Sequence, residues 1–168
     1  MILDKAMVEK EIAELNLPEN LLKLTQGRGG EMDRVFAHRC QVPWIVYEED
    51  VTPHGRKLTP LWENNGRIFA FWEEAGRREY FKFDTELPEE YELLGYSIFA
   101  IVAHLLVWFR AEMDLSKEKV TQLAELLHYP DSAKIVEIID QAQQSAESYQ
   151  AFKTWEKNYR HSLPAEMI

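Results

Sequence analysis

The chain has one cysteine, Cys40, in 168 residues. An internal disulfide is therefore excluded, and a cysteine-based zinc centre lacks ligands. A reducing compartment is the default that follows. Positive charge is also short: 19 Lys and Arg stand against 29 Asp and Glu, for a formal net charge of -10. Nucleic acid and anionic membrane both need positive charge to displace counterions, so neither is an expected partner. The longest apolar run, Ile98 to Phe109 with only His104 inside it, falls well short of the roughly 18 residues that span a bilayer. The opening stretch MILDKAMVEKEIAEL lacks the basic start and apolar centre of a secretory signal. A cytoplasmic location is the expectation.

Signatures of catalysis are missing as well. His38, His54, His104, His128 and His161 are scattered, with no two placed four apart on an expected helix, so no metal site is expected. Gly27, Gly29 and Gly30 lack the preceding strand and following Lys-Ser or Lys-Thr of a phosphate-binding loop, and read as a helix stop and turn. His38 and Cys40 would share one face of a strand like a thiol and its base. Nothing supplies an oxyanion hole, and a structural placement is favoured. His104 reads as a buried histidine satisfied by a hydrogen bond. The carboxylates from Asp84 to Glu92 lack the glycine and ligand order of a calcium loop and read as a solvated acidic connection. No catalytic residue, cofactor or metal is expected, and the protein is not expected to be an enzyme.

What the chain does have is aromatic rings. Gly66 to Asp84, GRIFAFWEEAGRREYFKFD, places two ring-rich runs around a short polar turn and reads as a β-hairpin. If Glu73 pairs with Arg78, Phe71 faces Tyr80 and Phe69 faces Lys82. Ile68, Ala70 and Trp72 then share the other face with Phe81 and Phe83. One face must cover a core, with the apolar helix from Ile98 as its natural cover. The other is covered or offered to a partner.

Around the hairpin, apolar spacing predicts helices over Ile2–Leu15 and Glu19–Thr25. Val42 to Tyr47, β-branched and aromatic, reads as an edge strand with Pro43 near its start. Leu58–Trp62 reads as a strand leading through Asn65-Gly66 into the hairpin, which makes an antiparallel meander of about four strands. Ser97 is placed to cap the apolar helix. Lys117–Leu127 and one long segment, Ser132–Tyr159, read as further helices. No linker or repeat divides the sequence. The expectation is a single α+β domain over 1–168, with N-terminal helices, an antiparallel sheet of about four strands, a central apolar helix and a helical C-terminal appendage.

Three stretches together resemble the SUKH superfamily of bacterial immunity proteins, which also includes fungal regulatory proteins. LPENLLKLTQGRGG is similar to the family's opening helix and glycine-containing turn. LTPLWENNGRIFAFWEEAGRREYFKFD is similar to its glycine-punctuated aromatic strands, and GYSIFAIVAHLLVWFRAE to the helix that follows. The resemblance covers about 12–112 and leaves a helical extension over about 114–160. It implies an α+β fold and a non-catalytic cytoplasmic module that binds and neutralises a toxin delivered by a neighbouring cell, and it brings no fixed active-site residues. The alternatives are a regulatory or scaffolding interaction protein of the same fold and, behind it, an enzyme of unrecognised type. The expected partner is a protein, with a basic toxin domain the best match to the acidic balance. The expected contacts are an acidic rim of Glu48, Glu49, Asp50, Glu73, Glu74, Glu86, Glu89 and Glu90 around the rings of Phe69, Phe71 and Tyr80, if that face is open. The sequence leaves the oligomeric state open.

Overall fold

A computed structural model describes residues 3–30, 33, 40–49 and 51–166. The architecture is α+β, with an antiparallel four-stranded sheet in the order β1-β2-β3-β4. The chain divides into two compact units. One comprises 1–93 with 166–168 and the other 94–165, so the division falls inside β4.

The first unit opens with α1 (Lys5–Glu14), whose N–H groups at Ala6 and Met7 are capped by the Asp4 side chain. Next comes α2 (Glu19–Thr25), with Pro18 just ahead of it. This helix stops as its glycine suggests: Gly27 takes φ 68°, its N–H donates to the Leu24 carbonyl, and Arg28 N–H donates to the Lys23 carbonyl. The segment read as an edge strand is instead a short helix, α3 (Trp44–Glu48), which starts directly after Pro43. β-branched and aromatic composition favours a strand only where a neighbour pairs with it. Among the described residues the pairing here is an isolated bridge between Gln41 and Glu63.

The strands follow: β1 (Thr59–Asn64), β2 (Arg67–Glu74), β3 (Arg77–Asp84) and β4 (Glu92–Gly95). The sheet thus has the expected number of strands, with β4 in place of 42–47. The hairpin register is the one its alternation dictates, with Glu73 opposite Arg78, Phe71 opposite Tyr80 and Phe69 opposite Lys82. Pairing continues to Glu74 and Arg77, leaving Ala75 and Gly76 as a tight turn at φ 50° and 78°. Both signs match a type I′ turn, which follows the twist of the strands. In β1 the register slips between Pro60 and Trp62, and Leu61 is the extra residue of a bulge. The slip brings the Trp62 ring within 5.2 Å of Phe69.

The second unit is helical. Ser97 caps α4 (Ile98–Val107) by accepting from the Phe99 N–H. The helix is buried on nearly every side, as an all-round apolar run requires. A π-helical turn, Trp108–Glu112, extends it, and α5 (Lys117–Leu126) follows. The long terminal helix divides in two, α6 (Ser132–Ser145) and α7 (Tyr149–Ser162), with Ala146 extended between them. Ser148 makes the break: its side chain accepts from the Ala151 N–H and starts a new helix. Gly95 ends β4 against α7, where a Cβ would stand 3.0 Å from the Arg160 carbonyl oxygen and 2.7 Å from Ala100 Cβ.

Candidate interaction surface

The two faces of the hairpin fare differently. Phe69, Phe71 and Tyr80 are buried, with Tyr80 at 0% exposure, so the open face on which their partner contact depended is not present. Within the first unit, Thr59, opposite Phe71 in the register, donates its hydroxyl to Glu11 of α1. Lys57 holds the same carboxylate at 2.8 Å, which fixes α1 over this face at the β1 side. At the β3 side, the Tyr80 hydroxyl donates to Glu166. Burial, then the Glu166 charge and hydrogen bond, push this phenol far up from its ordinary range and keep it a donor.

The other face ends in a cluster of rings and charges that forms a recognisable surface. The Arg56 guanidinium lies 4.0 Å above the Trp72 ring. Trp72 packs on Phe81 at 4.1 Å, and Tyr91 meets both rings edge-on at 5.2 and 5.7 Å. His54 in turn meets Tyr91 edge-on at 5.8 Å. Trp72 donates its indole N–H to Glu79 at 2.9 Å, so this buried ring is fixed in orientation and polar satisfaction.

Two of the expected rim carboxylates meet at this cluster. Glu74 pairs with Arg56. Glu89 pairs with the His54 ring and also accepts the His54 N–H at 3.0 Å, steadying a residue at φ 54°. Arg56 and His54 belong to one turn around Pro53–Gly55, so Glu74 and Glu89 grip that turn from two elements. Glu73 is exposed with Arg78 at 3.9 Å. Glu86 and Glu90 are exposed in the same connection as Glu89, while Glu48 and Glu49 are exposed at the end of α3. Asp50 lies outside the described residues.

His54, Arg56 and Tyr91 were missed as contacts in the sequence. Their importance comes from three separate segments meeting, which no spacing along the chain records. The available signals were the turn chemistry of Thr52-Pro-His-Gly55 and the single ring, Tyr91, in an otherwise acidic connection.

Other candidates for chemistry resolve into structural roles. Cys40 is buried and its N–H donates to Asp33 at 3.1 Å. Burial and the Asp33 charge push its thiol well up, the reverse of an activated nucleophile. Its expected companion His38 lies outside the described residues. Among the described residues no group of three or more His, Cys, Asp or Glu is placed to hold a metal ion, and no helix is long and apolar enough to cross a membrane. A groove of about 670 Å³ runs between α1, α2, α3 and β1, lined by Val8, Ile12, Leu22, Val42 and Leu61. Burial and Glu9 push the Tyr47 hydroxyl beside it up to about 12.

In the second unit His104 is buried with its Nδ1 2.9 Å from Glu156, in keeping with a satisfied core histidine. Glu156, at 1% exposure, also takes Lys153 and lies 3.6 Å from Arg160 Nε. Arg160 donates onward to the Leu94 carbonyl at 3.2 Å. Burial alone would raise the Glu156 carboxyl, yet His104, Lys153 and Arg160 outweigh it and hold the group down at about 2. A carboxylate held in its ionised form by three cationic or donor neighbours fastens α7 to α4.

Comparison with protein-family models, with curated proteins and with solved structures finds no match.

Proposed function

We propose that this chain is a non-catalytic protein-binding module of the kind its SUKH-like stretches imply: an immunity protein that binds and neutralises a bacterial toxin domain. The observation that carries this reading is the surface built on Trp72. Arg56 and Tyr91, gathered over the buried Trp72 of the hairpin, are of the residue types that dominate binding energy at protein interfaces. The exposed carboxylates of Glu73, Glu86 and Glu90 on neighbouring segments give that surface an acidic margin. Such a margin accelerates encounter with a basic partner, while Arg56, Tyr91 and His54, which lie over the buried Trp72 and Phe81, supply the part that loses water on contact.

The test is stopped-flow association with any toxin domain found encoded beside this chain, at low and high ionic strength. Wild-type association is expected to slow about tenfold or more as salt rises, and Glu86→Lys/Glu90→Lys to slow it at low salt. Arg56→Ala is expected to speed dissociation instead. Association indifferent to salt and to charge reversal removes the acidic margin from the mechanism. Absence of binding to any such domain, with binding to a host regulatory protein, transfers the surface to the regulatory reading.

A further inference from the structure

We propose that the seat on β3 held by Glu166 is a docking site for an extended acidic segment of a protein partner, and that Glu166 is its resident occupant. This rests on the protein-binding reading above but concerns a different surface.

Three donors converge there. The Tyr80 hydroxyl donates to the Glu166 carboxylate, and the Arg78 N–H donates to the Glu166 carbonyl oxygen at 3.3 Å. The second bond is the kind a neighbouring strand accepts, so the segment is bound by its backbone as well as its charge. The third donor is the Arg78 guanidinium, and it is poorly used. Its side chain is only 16% exposed, yet its two carboxylate neighbours, Glu73 and Glu166, both stand at 3.9 Å. Its Nε is buried and makes no hydrogen bond among the described residues.

A part-buried guanidinium whose carboxylate neighbours both stand at 3.9 Å gains from a closer acceptor, since charged donors gain most from short, paired carboxylate contacts. Glu166 satisfies the phenol and the backbone but stands 3.9 Å from the fork. An extended partner segment with a carboxylate set slightly deeper would satisfy all three donors, and would gain what the resident does not. Tyr80 is held as a donor by its burial, so the seat selects an acceptor at this position and rejects a cationic side chain. The Arg78 N–H lies in a strand and does not move, which fixes the register of whatever binds.

The resident must leave before a partner enters. The seat therefore couples partner binding to release of the segment that follows α7, and a partner takes over the Tyr80 contact that the segment gives up.

The experiment uses the full chain and a fluorescent acetylated peptide of its own sequence, Ser162 to Ile168, read by anisotropy. Glu166→Gln is expected to bind this peptide about tenfold more tightly than wild type, because the competing carboxylate is gone. Tyr80→Phe in the Glu166→Gln background is expected to return affinity to the wild-type level, and a peptide with Gln for its Glu to bind weakly throughout. Glu166→Ala serves as a second vacating variant, and circular dichroism confirms that each variant is folded. Equal peptide binding by wild type and both vacated variants overturns the inference, as does affinity unaffected by Tyr80→Phe. Toxin binding is read separately. Peptide capture without any toxin binding leaves the seat standing and defeats the immunity reading; toxin binding without peptide capture does the opposite.

Discussion

Two carboxylates in this molecule are each held by the Nδ1 of a histidine, Glu156 by His104 and Glu89 by His54. The pairs look alike on paper and differ in surroundings. The first is at 1% and 11% side-chain exposure, the second at 57% and 56%. Water screens the exposed pair, which is worth little beyond the turn it orders. The buried pair has no water to fall back on, so its energy lies in what remains if one member is removed. Equal geometry thus serves two purposes: the second unit uses it to lock helices together, and the first uses it to shape a surface.

The sharpest way to break the comparison is Glu156→Ala. It removes the buried carboxylate that His104, Lys153 and Arg160 share, while Lys153 keeps Glu112 at 3.6 Å, and a loss of about 3 to 5 kcal/mol is expected in a denaturant titration. A loss under about 1 kcal/mol shows that the cluster is solvated after all.

Acid gives the next largest effect. Glu156 titrates from the usual 4.5 down to about 2 in the folded chain, so its contribution is fully present above pH 4.5 and is lost as pH falls through about 2. Over that window about 3 kcal/mol should disappear, at about 1.4 kcal/mol per pKa unit. Equilibrium unfolding measured between pH 5 and 2 for wild type and Glu156→Gln checks this, since the variant should lack that slope.

The smallest effect belongs to the exposed partner. Glu89→Ala should cost about 1 kcal/mol or less, and less again in high salt. Its consequence should appear as a turn around Pro53–Gly55 that exchanges its amides faster, read by hydrogen exchange at His54.

Much of the fold could be read from local pattern. Alternation in β2 and β3 set the hairpin register, because a one-residue slip would turn every ring to the wrong side. Pro18 and Gly27 bounded α2, and Ser97 marked the start of α4. The failures have physical causes too. At 42–47 composition pointed to a strand, but among the described residues the pairing there is a single bridge, and the chain after Pro43 coils into a turn of helix. Between α6 and α7 the apolar stripe ran on through Ala142, Ala146 and Tyr149, masking a break that only the Ser148 cap records. β4 is short and begins with a Glu, and carries almost no strand signal of its own. The acidic rim could be listed from the sequence, but which of its members meet was set by the turn at Pro53–Gly55. Whether Phe69, Phe71 and Tyr80 were open depended on Glu11 and Glu166, residues distant in the chain.

The tight turn at Ala75 and Gly76 also bears on the order in which the chain assembles. Its hairpin closes over the shortest possible loop, an event of microseconds. The contacts that cover its ringed face link residues 48 apart, Glu11 with Thr59, and 86 apart, Tyr80 with Glu166, and must wait for much longer loops to close. During synthesis the hairpin is complete long before residue 166 exists. For that interval a nascent chain carries the Tyr80 end of its ringed face without the contact that later covers it, and this is the stretch on which a chaperone would be expected to settle.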